Sequence, residues 1–310
     1  MHKYVIRRLL LTVLVLLGVT FIIFSIMALT PGDPGRLILG MAATQEAVDA
    51  LNRDLGYDNP FIIRYFTYVY NAFVRFDFGN SYRTRAPVFN EILLRLPNTM
   101  ILALLAVFFS SLIGMSLGII AAVKQYSITD NILTVLALFF ASMPGFWLGM
   151  NLILIFALHL GLLPTSGLGS WRNFVLPVVT LTVGGTGGVL RLTRSTMLET
   201  IRQDYIRTAR AKGAPKRTVI LRHALKNALL PVITALAMSF GALLGGAVIV
   251  ETIFAIPGLG THLVDAIRMQ DVPVVMATTI LLAAMFCLIM LVLDLAYAFL
   301  DPRIKAKFSK

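Results

Sequence analysis

Residues 97–123 read PNTMILALLAVFFSSLIGMSLGIIAAV, a run of 27 residues without a single charged side chain. Residues 132–158 form a second uncharged run of the same length. A helix needs about 20 predominantly apolar residues to cross the hydrocarbon core of a membrane. Lipid offers backbone groups no hydrogen-bond partners, and these runs lack the alternation of barrel strands, so each run predicts a transmembrane helix.

Four further uncharged runs extend this pattern along the chain of 310 residues: 9–29, 173–190, 227–250 and 272–293. Only 14% of the residues are charged and 58% are apolar, whereas a soluble domain carries about 25% charged residues. The sequence therefore predicts an all-α integral membrane protein with six transmembrane helices.

The first apolar run follows Lys3, Arg7 and Arg8, as the core of a signal peptide would. Its 21 residues exceed a typical signal core, however, and no cleavage site of small residues precedes Pro31. We therefore expect this run to be kept as a true transmembrane helix.

Basic residues predict the orientation of the helices, because they concentrate in cytoplasmic loops. The side that would hold both termini has 18 Lys and Arg residues, and the other side has 9. We therefore expect both termini to be cytoplasmic in a bacterial inner membrane. The net charge of +12 is attributed to these loops and not to binding of nucleic acid.

The apolar runs divide the chain into four predicted segments: a first transmembrane helix at 1–30, an extracytoplasmic segment at 31–96, a membrane core at 97–300 and a basic cytoplasmic tail at 301–310. Within the second segment, residues 44–55 are predicted to form a helix that Gly56 ends. Residues 61–78 are dense in Tyr and Phe, which indicates a helix at the membrane interface. We interpret 31–96 as a small folded cap.

Small residues four positions apart predict close approach of helix backbones in lipid. Three such pairs lie inside the apolar runs: Gly114 with Gly118, Gly184 with Gly188, and Gly241 with Gly245. Pro144 lies in the middle of the third run, where it predicts a kink, because proline removes a backbone donor and clashes with the preceding turn.

Two acidic residues border the apolar runs. Glu251 follows the fifth run, and either a gate contact or a structural hydrogen bond is compatible with its place. Asp294 follows the sixth run, where we expect an ion pair with a cytoplasmic-side base such as Arg191 or Arg194.

No catalytic or metal-binding pattern stands out in the sequence. The four histidines fall in separate segments without ligand spacing, and no phosphate-binding Gly-x-x-x-x-Gly-Lys-Ser/Thr loop is present. The chain is therefore expected to be no enzyme, with no metal site, no catalytic residue and no cofactor of its own.

The segment 191–226 is the most informative part of the sequence. It carries ten Lys and Arg residues against Glu199 and Asp204. Its first part has a helix-forming composition and ends at Gly213, and Pro215 permits a new helix to start. The pattern predicts a helix–glycine–helix elbow. The elbow could dock a partner protein, or it could be a basic loop that serves topology and lipid headgroups only.

Six short motifs occur in order along the chain: PGDP at 31–34, FGNS at 78–81 with PV at 87–88, GLLPTSG at 161–167, VETIF at 250–254, IPGLG at 256–260 and DPR at 301–303. With the runs 205–213 and 222–231, they make the chain resemble the first permease subunit of bacterial dipeptide, oligopeptide and nickel ABC importers over nearly its whole length.

The elbow is also similar in part to the cytoplasmic loop of ABC importer permeases, whose pattern is Glu-Ala-Ala, three residues, then Gly. Gly213 takes the Gly place and Ala209 takes the second Ala place. Arg207 and Thr208 stand where Glu and the first Ala would be, so contacts that depend on this Glu have no counterpart here.

The resemblance implies the fold of a type I ABC importer permease, in which a coupling loop at about 197–227 contacts an ATPase. It implies these ATPase-coupling residues: Tyr205, Arg207, Thr208, Ala209, Arg210, Lys212 and Gly213. Pro144 and Glu251 are candidates for a gate or for the pathway. The implied partners are a second homologous permease, two ATP-binding subunits that hold ATP and Mg²⁺, an extracytoplasmic binding protein and the lipid bilayer.

The resemblance implies import of short peptides, such as dipeptides and oligopeptides. Nickel chelates and glutathione are alternatives for the same machine. A stand-alone secondary transporter or channel is a more distant alternative, because such proteins place paired charges near the middle of the membrane, and the six runs are uncharged.

Overall fold

The computed structural model describes residues 2–300, and within them all named elements are helices. Two of these helices continue as π-helical segments. The helix Gly145–Leu152 continues through Ile153–His159, and the helix Lys216–Thr218 continues through Val219–Ala224. The predicted basic tail and the DPR motif lie at 301–310, outside the described residues. In chain order the helices are α1 (His2–Leu29), α2 (Pro34–Leu39), α3 (Gln45–Asp54), α4 (Phe61–Val74), α5 (Val88–Val123), α6 (Ile128–Ser142), α7 (Gly145–Leu152), α8 (Arg172–Ile201), α9 (Asp204–Ala211), α10 (Lys216–Thr218), α11 (Leu225–Gly246), α12 (Val248–Ile253), α13 (Leu259–Arg268) and α14 (Val272–Leu300).

Among the described residues, five helical stretches are long and apolar enough to cross a membrane: Ile6–Leu29, Val88–Val123, Arg172–Ile201, Lys216–Gly245 and Val272–Leu295. Each contains or overlaps a predicted run. Several are longer than predicted, because the helices continue past the first charged residue into the flanking polar segments.

The third predicted run does not form one continuous helix. Its two parts, Ile128–Ser142 and Gly145–His159, meet at an angle of 93°. The backbone leaves the helical conformation at Met143 and Pro144, both of which are extended. The kink predicted at Pro144 is therefore confirmed, and it is sharp enough to separate α6 from α7.

The chain folds as two compact units. The first holds the residues up to Pro97 and those from Gly258 onward, and the second holds Asn98–Pro257. In the first unit, α14 packs against α1 and α13. Its apolar core includes Val88, Ile92 and Leu259.

The predicted helix at 44–55 is confirmed as α3. The Thr44 side chain caps its first turn by accepting a hydrogen bond from the Ala47 amide. Gly56 follows the helix with a φ of 74°, a left-handed conformation that glycine adopts at low cost. Val48 is fully buried, so α3 contributes to the core of the first unit.

The aromatic segment forms α4, so its predicted helical structure is confirmed. Phe21 and Phe24 of α1 contact the Tyr65 ring at centroid distances of 5.3 and 5.6 Å, and the Tyr65 hydroxyl donates a hydrogen bond to the Leu17 carbonyl. The other face of α4 leaves Phe66 and Ile62 exposed. Its location at a membrane interface stays a prediction.

A buried histidine also belongs to the first unit. His262 of α13 places its Nε2 atom 3.4 Å from Oε2 of Glu91, and about a tenth of each side chain is exposed. Burial, with a smaller contribution from Arg95, lowers the pKa of His262, although the carboxylates of Glu91, Asp271 and Asp265 oppose this shift. The folded protein therefore disfavours the charged form of this histidine relative to the unfolded chain.

The ion pair predicted for Asp294 is confirmed, but its partner is Arg8 and neither of the two arginines named as examples. Asp294 binds Arg8, with 2.8 Å between the carboxylate and the guanidinium, because α14 packs along α1. Arg194 instead forms a two-pronged pair with Asp130, at 2.6 and 2.7 Å. Asp130 lies in the first turn of α6, and α6 packs against α8, which carries Arg194.

In the second unit α8 is the central helix, in contact with α6, α7 and α11. The predicted close approach is confirmed for Gly114 and Gly118, where an added Cβ would lie 2.8 Å from Val189 and 2.7 Å from Thr193 of α8. For Gly184 and Gly188 the prediction is wrong, since an added Cβ would meet nothing within 4 Å at either position.

The close contact in this part of α8 is made by a glycine that the pairing missed. A Cβ added at Gly187 would lie 2.4 Å from the Ala137 carbonyl oxygen of α6. The prediction named Gly184 and Gly188 because a four-residue spacing places two residues on one helix face. The spacing does not say which face meets the neighbouring helix. Gly245, for which close packing was also predicted, likewise has no neighbour within 4 Å.

Candidate functional site

A cavity of about 360 Å³ lies in the second unit at the break between α6 and α7. Its polar side chains are the hydroxyls of Ser110, Thr180 and Ser239, and the rest of its lining is apolar or glycine. Among the described residues that line it, none is charged. The cavity therefore offers hydrogen bonds and apolar contact to a molecule but no ionic partner.

Two glycines keep this cavity open. Gly145 begins α7 and Gly184 lies in the middle of α8, and both line the cavity. An added Cβ would meet no atom within 4 Å at either glycine. The empty space beside Gly184 is thus the cavity itself, which gives this residue a role other than the helix packing predicted from its spacing.

The two predicted gate or pathway residues lie beside the cavity without lining it. Met143 and Gly145 line it on either side of Pro144, and Val250 lines it next to Glu251. The Glu251 side chain is fully buried, and its Oε1 accepts a hydrogen bond of 2.6 Å from the Thr99 hydroxyl. Glu251 therefore has the structural hydrogen bond that the sequence left open, and its role as a gate contact stays a prediction.

The second feature of this unit is the basic elbow, which we define as residues 204–218. It contains α9, the turn at Gly213 and α10, so the predicted helix–glycine–helix pattern is confirmed. The Gly213 amide donates to the Arg210 carbonyl, the Ala214 amide donates to the Ala209 carbonyl, and Gly213 has a φ of 78°. These two bonds form a Schellman motif, which ends a helix at a left-handed glycine.

One buried residue anchors α9 to the rest of the unit. Ile206 is fully buried in a cluster that includes Ala122 at the end of α5, Met197 of α8 and Ala228 of α11. Residues of three long helices and of the π-helical segment Val219–Ala224 thus share one apolar cluster with a side chain of this eight-residue helix. Ile206 is not among the site residues predicted from the sequence, although it is the only large aliphatic residue in the segment DYIRTARA at 204–211.

The residues predicted to couple α9 to an ATPase lie mainly on its outer face. Six are exposed and Ala209 is half-buried, and the six are Tyr205, Arg207, Thr208, Arg210, Lys212 and Gly213. Arg207 lies 3.6 Å from Asp204, with both side chains largely exposed. The elbow therefore presents a mainly basic, solvent-facing surface above a buried apolar anchor.

Within residues 2–300, no group of three or more His, Cys, Asp or Glu side chains could hold a metal ion.

Comparison with known families decides the identity of the chain. Residues 114–306 match the model of the binding-protein-dependent transport system inner membrane component, and residues 1–103 match the N-terminal model of the same class of membrane component. The chain belongs to this family. It is a permease subunit of an ABC importer and a multi-pass protein of the inner membrane, as the resemblance of its motifs implied.

Curated relatives cover the permease over its full length. It is 40% identical over 307 residues to the glutathione transport system permease protein GsiC of Escherichia coli strain K12, which is 99% of this chain and 100% of the relative. The protein of the same name from Shigella flexneri serotype 5b shows the same identity and coverage.

Solved structures share the fold of the permease at low sequence identity. One is the MetNI methionine ABC transporter in inward-facing conformations, with a TM-score of 0.56, 20% identity, and coverage of 68% of this chain and 96% of that chain. Another is an amino acid ABC transporter with histidines, with a TM-score of 0.52, 16% identity, and coverage of 69% and 94%. These similarities show an importer-type helical fold.

Proposed function

We propose that the permease has six transmembrane spans, with α6 and α7 together forming the bent third span, and that both termini face the cytoplasm. The twofold excess of Lys and Arg on the side of the termini supports this orientation. The basic elbow then projects from the cytoplasmic side, and residues 31–96 lie on the outer side. The alternative for the bent pair is a loop that enters and leaves the membrane on one side.

The function that we propose is ATP-driven import of short peptides, glutathione among them. The observation that carries the proposal is the 40% identity, over 99% of the chain, to permeases of a glutathione transport system. Glutathione is itself a tripeptide. An uncharged cavity with three hydroxyl groups also suits a substrate that is bound through its peptide groups. Nickel chelates remain the second candidate substrate from the resemblance.

The coupling to ATP hydrolysis is proposed to run through the basic elbow. Two partner ATPases would bind ATP and Mg²⁺, and one of them would contact the exposed surface from Tyr205 to Gly213. Ile206 would transmit the movement of α9 to the ends of α5, α8 and α11, because its apolar cluster includes residues of all four helices. A second homologous permease would complete the pathway, and an extracytoplasmic binding protein would deliver the substrate.

The experiment that tests the proposed substrate uses the whole transporter. The permease is co-purified with its partners, reconstituted into liposomes with the binding protein, and supplied with glutathione, a dipeptide or a nickel chelate. We expect glutathione or the dipeptide to stimulate ATP hydrolysis and to accumulate inside the liposomes. Stimulation by the nickel chelate alone would overturn the peptide proposal, and accumulation by the permease without its partners would point to a secondary transporter or channel.

The proposed coupling is tested at Gly213. A Gly213→Glu variant forces a left-handed conformation on a residue that disfavours it, at a cost of about 1 to 2 kcal/mol, and places a carboxylate among the cations of the elbow. We expect insertion and assembly to persist while transport per ATP hydrolysed falls. Gly213→Asn is the control, because asparagine tolerates this conformation. Normal transport by Gly213→Glu would show that the elbow does not couple.

A further inference from the structure

A second cavity of the second unit, of about 520 Å³, is separate from the one at the helix break. It lies between the basic elbow and the ends of α5 and α8. Three cationic side chains line it, Arg202 after α8, Arg210 of α9 and Lys216 of α10. Its remaining lining is apolar, for example Val123, Leu198 and Ile220, apart from the amide side chain of Gln125.

The lining of this cavity is positively charged, although Glu199 lines a neighbouring pocket together with Arg202. No acidic residue is part of its lining. Within the described residues, neither an ion pair nor a side-chain hydrogen bond involves Arg202, Arg210 or Lys216. Asp204, one of the two acids in 191–226, already lies next to Arg207. Three cations around one concavity repel one another, so an anion in the cavity would be stabilised.

The apolar part of the lining comes from helices that reach the membrane. Val123 is the last residue of α5, and Leu198 and Ile201 lie in the last turn of α8. In the proposed orientation these are cytoplasmic ends of transmembrane spans. The cavity therefore combines cations at the level of lipid headgroups with an apolar wall at the level where acyl chains begin.

We propose that this cavity binds the phosphate headgroup of an anionic phospholipid from the cytoplasmic leaflet. Basic pockets between transmembrane helices on the cytoplasmic side bind such headgroups, and each Lys or Arg near an anionic membrane surface strengthens binding about fivefold. The bound lipid joins α9 and α10 to the ends of α5 and α8, so it supports the elbow in the position from which it acts. This inference rests on the proposed orientation of the permease.

The charge alone would also fit an acidic surface of a partner ATPase. The apolar wall favours lipid, because a polar protein surface would leave Val123, Leu198 and Ile220 without apolar contact. The position of the cavity beside the span ends, on the inner side of the elbow, favours lipid as well. The ATPase is therefore kept as an outcome of the test.

The test compares two charge-matched double variants of the permease in its complete complex. Arg202→Gln with Lys216→Gln removes two cations that line the cavity and that lie outside the stretch from Tyr205 to Gly213 that is proposed to contact the ATPase. Arg217→Gln with Arg222→Gln removes two exposed cations of the same segment that do not line it. Each complex is placed in nanodiscs of phosphatidylcholine mixed with phosphatidylglycerol, and the retained phosphatidylglycerol is counted by native mass spectrometry, with and without inorganic phosphate.

We expect the cavity variant to bind phosphatidylglycerol about fivefold more weakly for each cation removed, while the control variant behaves like the wild type and both keep their ATPase subunits. Equal retention in all three complexes would overturn the proposal. Loss of ATPase subunits with unchanged lipid would assign the cations to the ATPase, and full displacement of the lipid by inorganic phosphate would assign the site to a free anion. If the proposed orientation is wrong, the result would differ from all of these outcomes, because no ATPase subunit would then co-purify even with the wild-type permease.

Discussion

The substitution Ile206→Ala tests whether α9 moves together with the transmembrane helices. Ile206 is fully buried in an apolar cluster that includes residues of α5, α8 and α11. The change removes three carbon atoms, worth about 0.8 kcal/mol each in transfer from water. The cavity that is left raises the total to about 3 kcal/mol, so the undocked population of α9 should rise by a factor of roughly 100.

Two measurements follow the consequence of this change in the reconstituted transporter. Hydrogen exchange of the α9 amides should become faster, and the amount of substrate imported per ATP hydrolysed should fall. Ile206→Val should show a smaller effect in both assays, since this change typically costs about 0.5 to 1.5 kcal/mol. The ATPase subunits should stay bound, because the exposed face of α9 is unchanged.

The matched control is Ile92→Ala, which is the same substitution at a side chain that is 1% exposed in the core of the first unit. It should lower thermal stability by a similar amount and leave the ratio of import to hydrolysis unchanged. The reasoning is refuted if Ile206→Ala keeps this ratio and wild-type exchange, or if Ile92→Ala lowers the ratio equally.

Three further substitutions probe the cavity, the ion pair and the buried histidine. Gly184→Leu should fill the cavity at the helix break and block import in liposomes. Gly188→Leu, one turn further along α8 and outside the cavity lining, should transport normally. Equal transport by both variants would refute a role of this cavity in the transport pathway. Asp130→Asn should lower the free energy of unfolding by about 3 kcal/mol, because it leaves Arg194 without its charged partner. The double variant with Arg194→Gln should recover part of this loss in thermal unfolding. No recovery would contradict the stabilising role of this ion pair. The pKa of His262 is lowered in the folded state, so the unfolded state binds more protons below about pH 6.5. The free energy of unfolding should therefore fall as the pH drops below that value, and His262→Gln should remove this pH dependence. An unchanged pH profile in the variant would show that another group titrates.

The sequence was sufficient to predict the spanning helices and the elbow, for a simple physical reason. Both are encoded locally. The spans follow from their uninterrupted apolar composition, and the elbow follows from Gly213, which ends one basic helix, and Pro215, which permits the next to begin. The kink at Pro144 was predictable on the same grounds. Its angle of 93° was not, because it depends on how α6 and α7 each pack against α8.

Contacts between distant segments were less predictable. The choice of Arg191 or Arg194 for Asp294 assumed that residues near one membrane face would meet, but partners are set by which helices pack together. Arg194 was already held by Asp130 of α6, and Arg8 of α1 was the cation available to Asp294. Similarly, the spacing of Gly184 and Gly188 could not show that Gly187 faces α6 while Gly184 faces a cavity.

The central claim is that α9 meets an ATP-hydrolysing partner on the cytoplasmic side and transmits its movement. The most direct measurement is cross-linking from a Tyr205→Cys variant in a background where Cys287 is replaced by serine. Tyr205 is 44% exposed on α9, and Met41→Cys in the first unit, where Met41 is 86% exposed, serves as the control on the outer side. The account predicts that the Tyr205→Cys variant cross-links to an ATPase subunit with a yield that changes when ATP binds, and that the Met41→Cys variant does not. Labelling of the Tyr205→Cys variant by a membrane-impermeant thiol reagent added outside intact cells, or no cross-link from it to the ATPase, would contradict the account.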